Sequence, residues 1–169
     1  MPVRIPGTDR AGKELVDGFV DYHVGSRASW RPEHWQLLLA VFVEGEPAGC
    51  QDVRAEDFAR ERTFETGSWL GQAFQGRGYG TEMRRAVLAL GFDGLGARAA
   101  VSGGFDWNIA SLRVSEKLGY RRGGEATFAP RGVPERELVM LLTRAQWQER
   151  EREPVEIAGL EPCLPLFGF

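Results

Sequence analysis

The chain has 169 residues, 43% hydrophobic and 27% charged, with a net charge of −3 at pH 7. This balance is typical of a globular domain with a full hydrophobic core, and the weakly acidic charge argues against nucleic acid as a partner. The longest apolar run, 37–43, is far shorter than the roughly 20 residues that span a bilayer, so no membrane partner is expected. Without a signal-peptide pattern or metal-binding cysteine spacing, we expect a cytoplasmic protein that holds no metal.

The first half of the chain predicts a helix, three strands and a second helix. Apolar residues at helical spacing predict a helix over 13–26. The stretch "HWQLLLAVFVEGEPAGCQDVRAED" indicates two strands joined by a tight turn at 44–47, and 64–70 indicates a third strand. Residues 78–92 predict a helix whose apolar positions share one face.

The second half of the chain predicts a buried strand, a helix, a hairpin and a tail. The strand is "ARAAVSG" (97–103), and the helix spans 108–118 with Asn108 as its N-cap. The segments 120–128 and 135–142 indicate a hairpin, followed by a short helix over 145–150. This order favours a mixed α/β sheet with helices on its faces, in a single domain over 1–169 with its core in about 35–147 and an apolar tail over 154–169.

The segment "QGRGYG" (75–80) places three glycines at alternate positions just before a helix. Successive backbone N–H groups there can point into one concavity, and the helix N-terminus adds its positive end. Such a site favours phosphate or pyrophosphate, with Gln75, Arg77 and Thr81 as further donors. The segment matches neither the Walker loop nor the dinucleotide fingerprint, and by itself a flexible turn explains it equally well.

A second motif, Asn108-x-x-Ser111 followed by Glu116-Lys117-Leu118-Gly119-Tyr120, stands about thirty residues later. Together with the match of 75–80 to Q/R-x-x-G-x-G/A, between a strand and a helix, it resembles the GNAT superfamily of N-acetyltransferases. The resemblance covers roughly 35–147 and is closest to the branch similar to ribosomal-protein N-terminal acetyltransferases. It implies a mixed, mostly antiparallel central sheet flanked by helices.

The resemblance also implies acetyl-CoA as co-substrate and a set of residues that bind it. The pyrophosphate is expected on Gln75, Gly76, Arg77, Gly78, Tyr79, Gly80 and Thr81. The backbone of Ser68, Trp69 and Leu70 is expected to pair with the pantetheine arm, and Asn108 and Ser111 are expected near the thiol end. From their residue types alone, Asn108 can be a plain helix cap and Ser111 a solvated helix residue.

The implied reaction is direct attack by a primary amine, of a protein N-terminus or a small molecule, in a ternary complex. The amine must lose a proton, so a base or a water chain is needed. Glu65 is the candidate base, although strand alternation can turn it away; His34, Asp52 and Asp106 are weaker candidates. Family members often place a tyrosine four residues before the helix-ending glycine, whereas this chain has Ser115, which leaves Ser115, Ser111 or water to protonate the thiolate.

The resemblance also implies a further strand and helix at the start of the domain, and because the chain leaves no room for that strand before 13–26, we expect both to be missing. Either the sequence starts late or another element, such as the tail, covers the exposed sheet edge. The tail can dock on its own domain or pack across a homodimer, which makes a homodimer a possible partner. Asp106 and Trp107 are placed to contact a cationic acceptor. These departures leave one alternative function, a GNAT-fold binding or scaffold protein that retains the CoA site with weak or no turnover; a nucleotide binder unrelated to CoA is less favoured.

Overall fold

The computed structural model describes residues 12–129 and 134–169. Its strands and helices are, in chain order, α1 (Gly12–Ala28), β1 (His34–Val43), β2 (Glu46–Glu56), α2 (Phe58–Glu61), β3 (Thr63–Leu70), α3 (Tyr79–Ala89), β4 (Ala99–Phe105), α4 (Ile109–Lys117), β5 (Arg121–Phe128), β6 (Glu135–Thr143) and α5 (Arg144–Gln148). Short 3₁₀ turns at Gln72–Phe74 and Glu161–Phe167 and a π-turn at Leu90–Gly94 complete the list. Within the described ranges, no helix is both long and apolar enough to cross a bilayer.

The strands form one sheet in the order β1-β2-β3-β4-β6-β5. Only β3 and β4 run parallel, and every other neighbouring pair is antiparallel. The predicted mixed, mostly antiparallel sheet is therefore confirmed. The predicted strand over 97–103 lies two residues too early, because Ala97 and Arg98 bond to Gly91 and Arg62 at the entry to the sheet. The predicted hairpin turn at 130–132 lies outside the described residues.

β3 and β4 separate part-way along their length. They pair from Thr63 opposite Ala99 to Thr66 opposite Ser102, and there the pairing ends. Beyond that point β3 stays bonded to β2, with 67–70 opposite 49–52, while β4 stays bonded to β6. Each strand follows its outer neighbour, so the sheet opens as a wedge between 67–70 and 103–105.

Helices cover the two faces of the sheet around this wedge. α1 lies on one face, where Phe19 contacts the ring of Trp69 edge-on at 6.1 Å. α3 and α4 lie on the other face, where Phe64 packs on Phe92 in the core and Leu112 of α4 lies against Gly104. Because strand side chains alternate between faces, successive residues of β3 contribute to different sides of the wedge.

The C-terminal tail docks on its own chain. The ring of Phe167 lies 5.4 Å from that of Trp30 and 4.9 Å from that of Trp35, and the Trp30 indole N–H donates to the Leu166 carbonyl at 2.8 Å. Of the two alternatives for the tail, the structure has docking on its own domain. The tail packs beside Trp35 at the start of β1, and β1 is the edge strand of the sheet that the described residues form.

Candidate active site

The wedge between β3 and β4 encloses a cavity of about 110 Å³. The cavity opens to both faces of the sheet, since it is lined by α1 and by residues of the α3–α4 side. On the α1 face its walls are Tyr22, His23, Leu38, Cys50, Asp52, Arg54, Glu65, Gly67, Trp69, Gly103, Phe105 and Glu137. On the other face they are Thr66, Ser68, Arg84, Gly104, Asn108 and Ser111. Two substrates, one on each face of the sheet, can thus reach the same point in the cavity.

The glycine loop lies at the mouth of the wedge. The Gln75 side-chain amide donates to the Leu70 carbonyl at 2.9 Å, which ties the loop to the end of β3. Gly76 and Gly78 have φ of 73° and 93°, and a Cβ on either would meet open space. Their positive φ, rather than crowding within the protein, therefore requires glycine here. Gly80 has helical backbone and lies in ordinary contact distance of Leu70 and Val114.

The first turn of α3 offers unused hydrogen-bond donors beside this loop. Gly78 is the N-cap and no side chain caps the helix. The first amide groups of a helix have no partner inside it, and the helix dipole adds positive potential there. Arg77 lies over the ring of Tyr79, at 5.2 Å from the ring centre, and adds a cation. The loop can therefore hold an anion such as a pyrophosphate, as expected for 75–81.

The predicted pantetheine segment lies along the free side of β3. Ser68, Trp69 and Leu70 are bonded to β2 on one side, and their other side faces the wedge, where pairing with β4 has ended. Backbone groups on an open strand edge can pair with an extended ligand. Their contact with a pantetheine arm stays a prediction.

Of the predicted residues on α4, Asn108 and Ser111 line the cavity and Ser115 does not. The Asn108 side chain accepts from the Ser111 amide at 3.3 Å, so the predicted N-cap is confirmed. Ser115 lies one helical turn further, is 2% exposed, and donates its hydroxyl to the Ser111 carbonyl at 3.3 Å. The helical period thus directs Ser115 into the core, and Ser111 is the α4 hydroxyl at the wedge.

Two carboxylates lie across the strands that border the wedge on its α1 face. A Cβ at Gly67 would collide with the carboxylate of Asp52, and a Cβ at Gly103 would collide with that of Glu137. The side chains come from the outer strands β2 and β6 and lie over β3 and β4. Sequence reasoning missed Glu137, although a glutamate in the apolar strand "ERELVMLLT", opposite a strand with two adjacent glycines, is a usable signal.

The carboxylates of this face differ in their surroundings. Burial raises the pKa of Asp52 above its ordinary value, while Arg54 at 3.6 Å and the Gln36 amide at 3.4 Å act in the opposite direction. Glu65 also lines the cavity, and Arg54 binds its carboxylate through two hydrogen bonds, one of them 3.2 Å from Nε. Glu65 is thus turned toward the site but held in an ion pair, which leaves Asp52 the better placed proton acceptor.

The remaining sequence candidates lie outside the cavity. His34 bonds Glu56, and Asp106 pairs with Arg136 at 3.0 Å. Trp107 stacks on Phe105 at 5.4 Å and is largely exposed. None of the three lines the wedge. Their positions in the sequence suggested that they lie near the site, but the register of the strands puts them away from Gly67 and Gly103.

A buried arginine occupies the other face at the point where the strands part. Arg84 of α3 is 3% exposed and donates to the hydroxyl oxygen of Ser102 at 2.8 Å and to that of Ser68 at 3.1 Å. It therefore bridges β4 and β3. Sequence reasoning missed it because its neighbours Met83 and Val87 mark that side of α3 as apolar.

Comparison with known proteins identifies this architecture. Residues 4–121 match the family model described as an acetyltransferase (GNAT) domain. The chain belongs to the GNAT acetyltransferase family. The resemblance to this family, which the glycine loop and the Asn108 motif indicated, is thus confirmed. A curated relative, an N-acetyltransferase of Bacillus subtilis called YnaD and described as uncharacterized, is 34% identical over 64 residues, which are 38% of each chain.

Solved structures share the GNAT fold. RimJ of Mycobacterium smegmatis in complex with CoA-disulfide has a TM-score of 0.70 at 20% identity, with 78% of this chain and 63% of that chain covered. A GNAT-family acetyltransferase from Bacillus anthracis has a TM-score of 0.64 at 20% identity, covering 80% and 76%. A variant of the spermidine N-acetyltransferase SpeG from Vibrio cholerae has a TM-score of 0.65 at 12% identity, covering 77% of each chain. The alignments span about two fifths of YnaD and less than two thirds of RimJ.

Proposed function

We propose that this protein transfers an acetyl group from acetyl-CoA to a primary amine by direct attack within the wedge. The observation that carries the proposal is the single cavity between β3 and β4, which is open to both faces of the sheet. One face carries the glycine loop and the N-termini of α3 and α4, which suit the phosphates and arm of CoA. The other face carries the carboxylates of Asp52 and Glu137, which suit an amine.

The donor would enter along the open edge of β3. The loop 75–81 would bind the pyrophosphate through backbone N–H groups, and Ser68 to Leu70 would pair with the pantetheine arm. This path would put the thioester where β3 and β4 part, just beyond the pair Thr66 and Ser102. Backbone N–H groups of β3 that no longer bond to β4 can stabilise the oxyanion there.

The acceptor would enter from the α1 face as an ammonium ion and react as a neutral amine. Asp52 and Glu137 attract the cation, and the Asp52 carboxylate takes its proton. The amine nitrogen then bonds to the carbonyl carbon, the C–S bond breaks with its electron pair on sulfur, and the second amine proton passes to solvent. Tyr22, with its hydroxyl 2.5 Å from the Gln36 amide nitrogen, closes this side of the cavity. The neighbour named as a spermidine N-acetyltransferase supports a cationic amine as acceptor.

The test is calorimetric titration of acetyl-CoA into the parent protein and into Gly80→Asp and Gly80→Ala. A Cβ at Gly80 meets only ordinary contacts, so both variants should fold. The aspartate adds a negative charge beside the pyrophosphate and should abolish binding, whereas the alanine variant, which keeps the Q/R-x-x-G-x-G/A pattern, should bind like the parent.

Turnover is then measured as thiol release with spermidine and with short peptides bearing free N-termini. Release with either class supports the transferase. Binding without release for any amine would favour the scaffold alternative. A folded parent protein that does not bind acetyl-CoA would overturn the proposal. Dimerisation stays a prediction, and the tail no longer argues for it because the tail packs on its own chain.

A further inference from the structure

Arg84 is a buried cation at the point where β3 and β4 part. Its guanidinium binds Ser102, the last β4 residue that pairs with β3, and Ser68, a β3 residue beyond the fork. The side chain lines the cavity while its residue is 3% exposed, and its Nε is buried without a hydrogen-bond partner. A leucine or methionine would fill such a position in an ordinary helix face.

The direct partners of this cation are neutral. In the described part of the chain, the Arg84 guanidinium donates to two serine hydroxyls and forms no ion pair with a carboxylate. Removing a charge from water costs several kcal/mol unless an opposite charge or strong hydrogen bonds compensate. The arrangement is therefore electrostatically incomplete and suits an anion, or a group that becomes anionic, in the wedge.

The charges around Arg84 come from several elements. Tyr120, which follows α4, lies within hydrogen-bonding reach of the guanidinium, and burial raises the pKa of that phenol, which keeps it neutral. Asp52 of β2 feels the positive charge of Arg84 but lies on the opposite face of the sheet. Arg54, Glu65 and Glu137 line the same cavity on that opposite face. On the face of Arg84 itself, the groups that line the cavity are hydroxyls, an amide side chain and backbone.

We propose that Arg84 is a catalytic residue that stabilises the sulfur of CoA as it leaves as a thiolate. The inference rests on the proposed function, which places the thioester at this fork. When the amine nitrogen bonds to the carbonyl carbon, the C–S bond breaks and its electron pair stays on sulfur. The fixed guanidinium charge stabilises that sulfur without transferring a proton, and the thiolate takes its proton from water after release.

This role agrees with the residue at position 115. The GNAT resemblance implies a tyrosine there as proton donor, whereas Ser115 is buried and donates its hydroxyl to the Ser111 carbonyl. A cation that stabilises the thiolate makes a proton donor on α4 unnecessary. The two serines orient the guanidinium, since each accepts one of its hydrogen bonds.

The decisive experiment measures the ionisation of CoA bound to the protein, by thiolate ultraviolet absorbance against pH. Free CoA, titrated in the same buffer, gives the reference value for its thiol. In the parent protein, bound CoA should titrate at least about one pH unit lower, because the cation favours the thiolate. In Arg84→Gln, which can still bond to one serine, the titration should return to the free value or above it. Arg84→Lys, which keeps the charge, should give an intermediate value.

Matched controls separate this role from a structural one. Arg85→Gln changes the next arginine, which pairs with Glu153 at 2.8 Å outside the cavity, and should leave the titration unchanged. Desulfo-CoA, which lacks the sulfur, should bind the parent and Arg84→Gln equally. With acetyl-CoA and an active amine, Arg84→Gln should lose about 100-fold in kcat with KM for acetyl-CoA changed only a few-fold.

Three results would overturn the inference. If bound CoA titrates in the parent like free CoA, Arg84 does not stabilise the thiolate, and this result needs no variant. If the parent and Arg84→Gln titrate alike, Arg84 is only a tie between β3 and β4. If the parent prefers succinyl-CoA to acetyl-CoA and Arg84→Gln loses that preference, the cation binds an acyl carboxylate instead. Failure of the parent to bind desulfo-CoA would refute the proposed function itself and is distinct from all three.

Discussion

The physical reason for glycine at 67 and 103 differs from the reason for glycine in the loop. At 76 and 78 the backbone needs positive φ, whereas at 67 and 103 a side chain would occupy the space of a carboxylate. The missing side chains let Asp52 and Glu137 lie across the borders of the wedge. At the residue scale, the site is therefore made as much by absent side chains as by present ones.

Asp52→Asn should reduce turnover strongly, because the amide cannot accept a proton from the acceptor amine. We expect a loss of about 100-fold in kcat with little change in acetyl-CoA binding. Rates should be measured against pH: the parent should lose activity as pH falls through the raised pKa of Asp52, and the variant should lack that dependence. Asp57→Asn, at an exposed position beside α2, is the control. An unchanged pH profile would exclude Asp52 as the base.

The same raised pKa has a consequence for stability. An acid whose pKa is higher in the folded state than in the unfolded state stabilises the fold at low pH, and that contribution is lost as pH rises through the folded pKa. The ionised, buried Asp52 therefore costs stability at neutral pH. The free energy of unfolding of Asp52→Asn, relative to the parent, should rise as pH increases above about 4, the usual pKa of an aspartate. Urea denaturation at several pH values measures it, and the opposite slope would contradict the assignment.

Glu137→Gln should weaken the binding of the acceptor amine rather than that of acetyl-CoA. The amide has nearly the shape of the carboxylate and still fits over Gly103, but it loses the charge that attracts an ammonium ion. We expect KM for a cationic amine to rise about tenfold, by roughly 1.4 kcal/mol of binding, with acetyl-CoA affinity unchanged. Glu135→Gln on the same strand is the comparison. If KM for the amine is the same in both variants, Glu137 does not bind the acceptor.

At the scale of elements, the outer strands decide where the wedge opens. β3 keeps its bonds to β2, and β4 keeps its bonds to β6, while the pairing between β3 and β4 ends at Thr66 and Ser102. α3 follows the loop that Gln75 ties to the end of β3, and Asn108, the N-cap of α4, lines the cavity, so both helices begin beside the wedge. The tail is a further element whose packing can be tested directly.

Phe167→Ala should destabilise the protein because the ring is 4% exposed and contacts Trp30 and Trp35. Loss of a buried phenylalanine costs about 3–5 kcal/mol. Leu166→Ala is the matched control, since its side chain is 53% exposed and only its backbone carbonyl accepts from Trp30. The free energies of unfolding from urea denaturation compare the two. A similar, small effect in both would show that the tail does not dock in solution.

At the scale of the whole molecule, the core and the tail should unfold together. The tail buries Trp35, whose strand also belongs to the central sheet, so we propose that 1–169 is one cooperative domain. Tryptophan fluorescence and far-ultraviolet circular dichroism should then give the same urea midpoint. Deletion of 161–169 should lower that midpoint for both signals. Two separate transitions in the full chain would contradict a single domain.

The sequence by itself determined the elements and the conformation of the glycine loop. Helix periodicity, the turn at 44–47, the Asn108 cap and the glycines at 76 and 78 are local features, because backbone conformation and nearest neighbours set them. The structure confirms the elements within a few residues, and family comparison confirms the fold that the two motifs indicated. The roles of Ser68 to Thr81 in binding CoA stay predictions.

Only the tertiary structure decided which side chains meet at the wedge. Asp52 and Glu137 lie far apart in sequence and meet there through the register of four strands. Arg84 lies at the fork because it binds Ser102, where the pairing of β3 with β4 ends. A one-residue change of register would turn each side chain to the other face of the sheet. No local pattern encodes that register, so the sequence favoured Glu65 and Ser115, whereas packing placed Glu65 in an ion pair and Ser115 in the core.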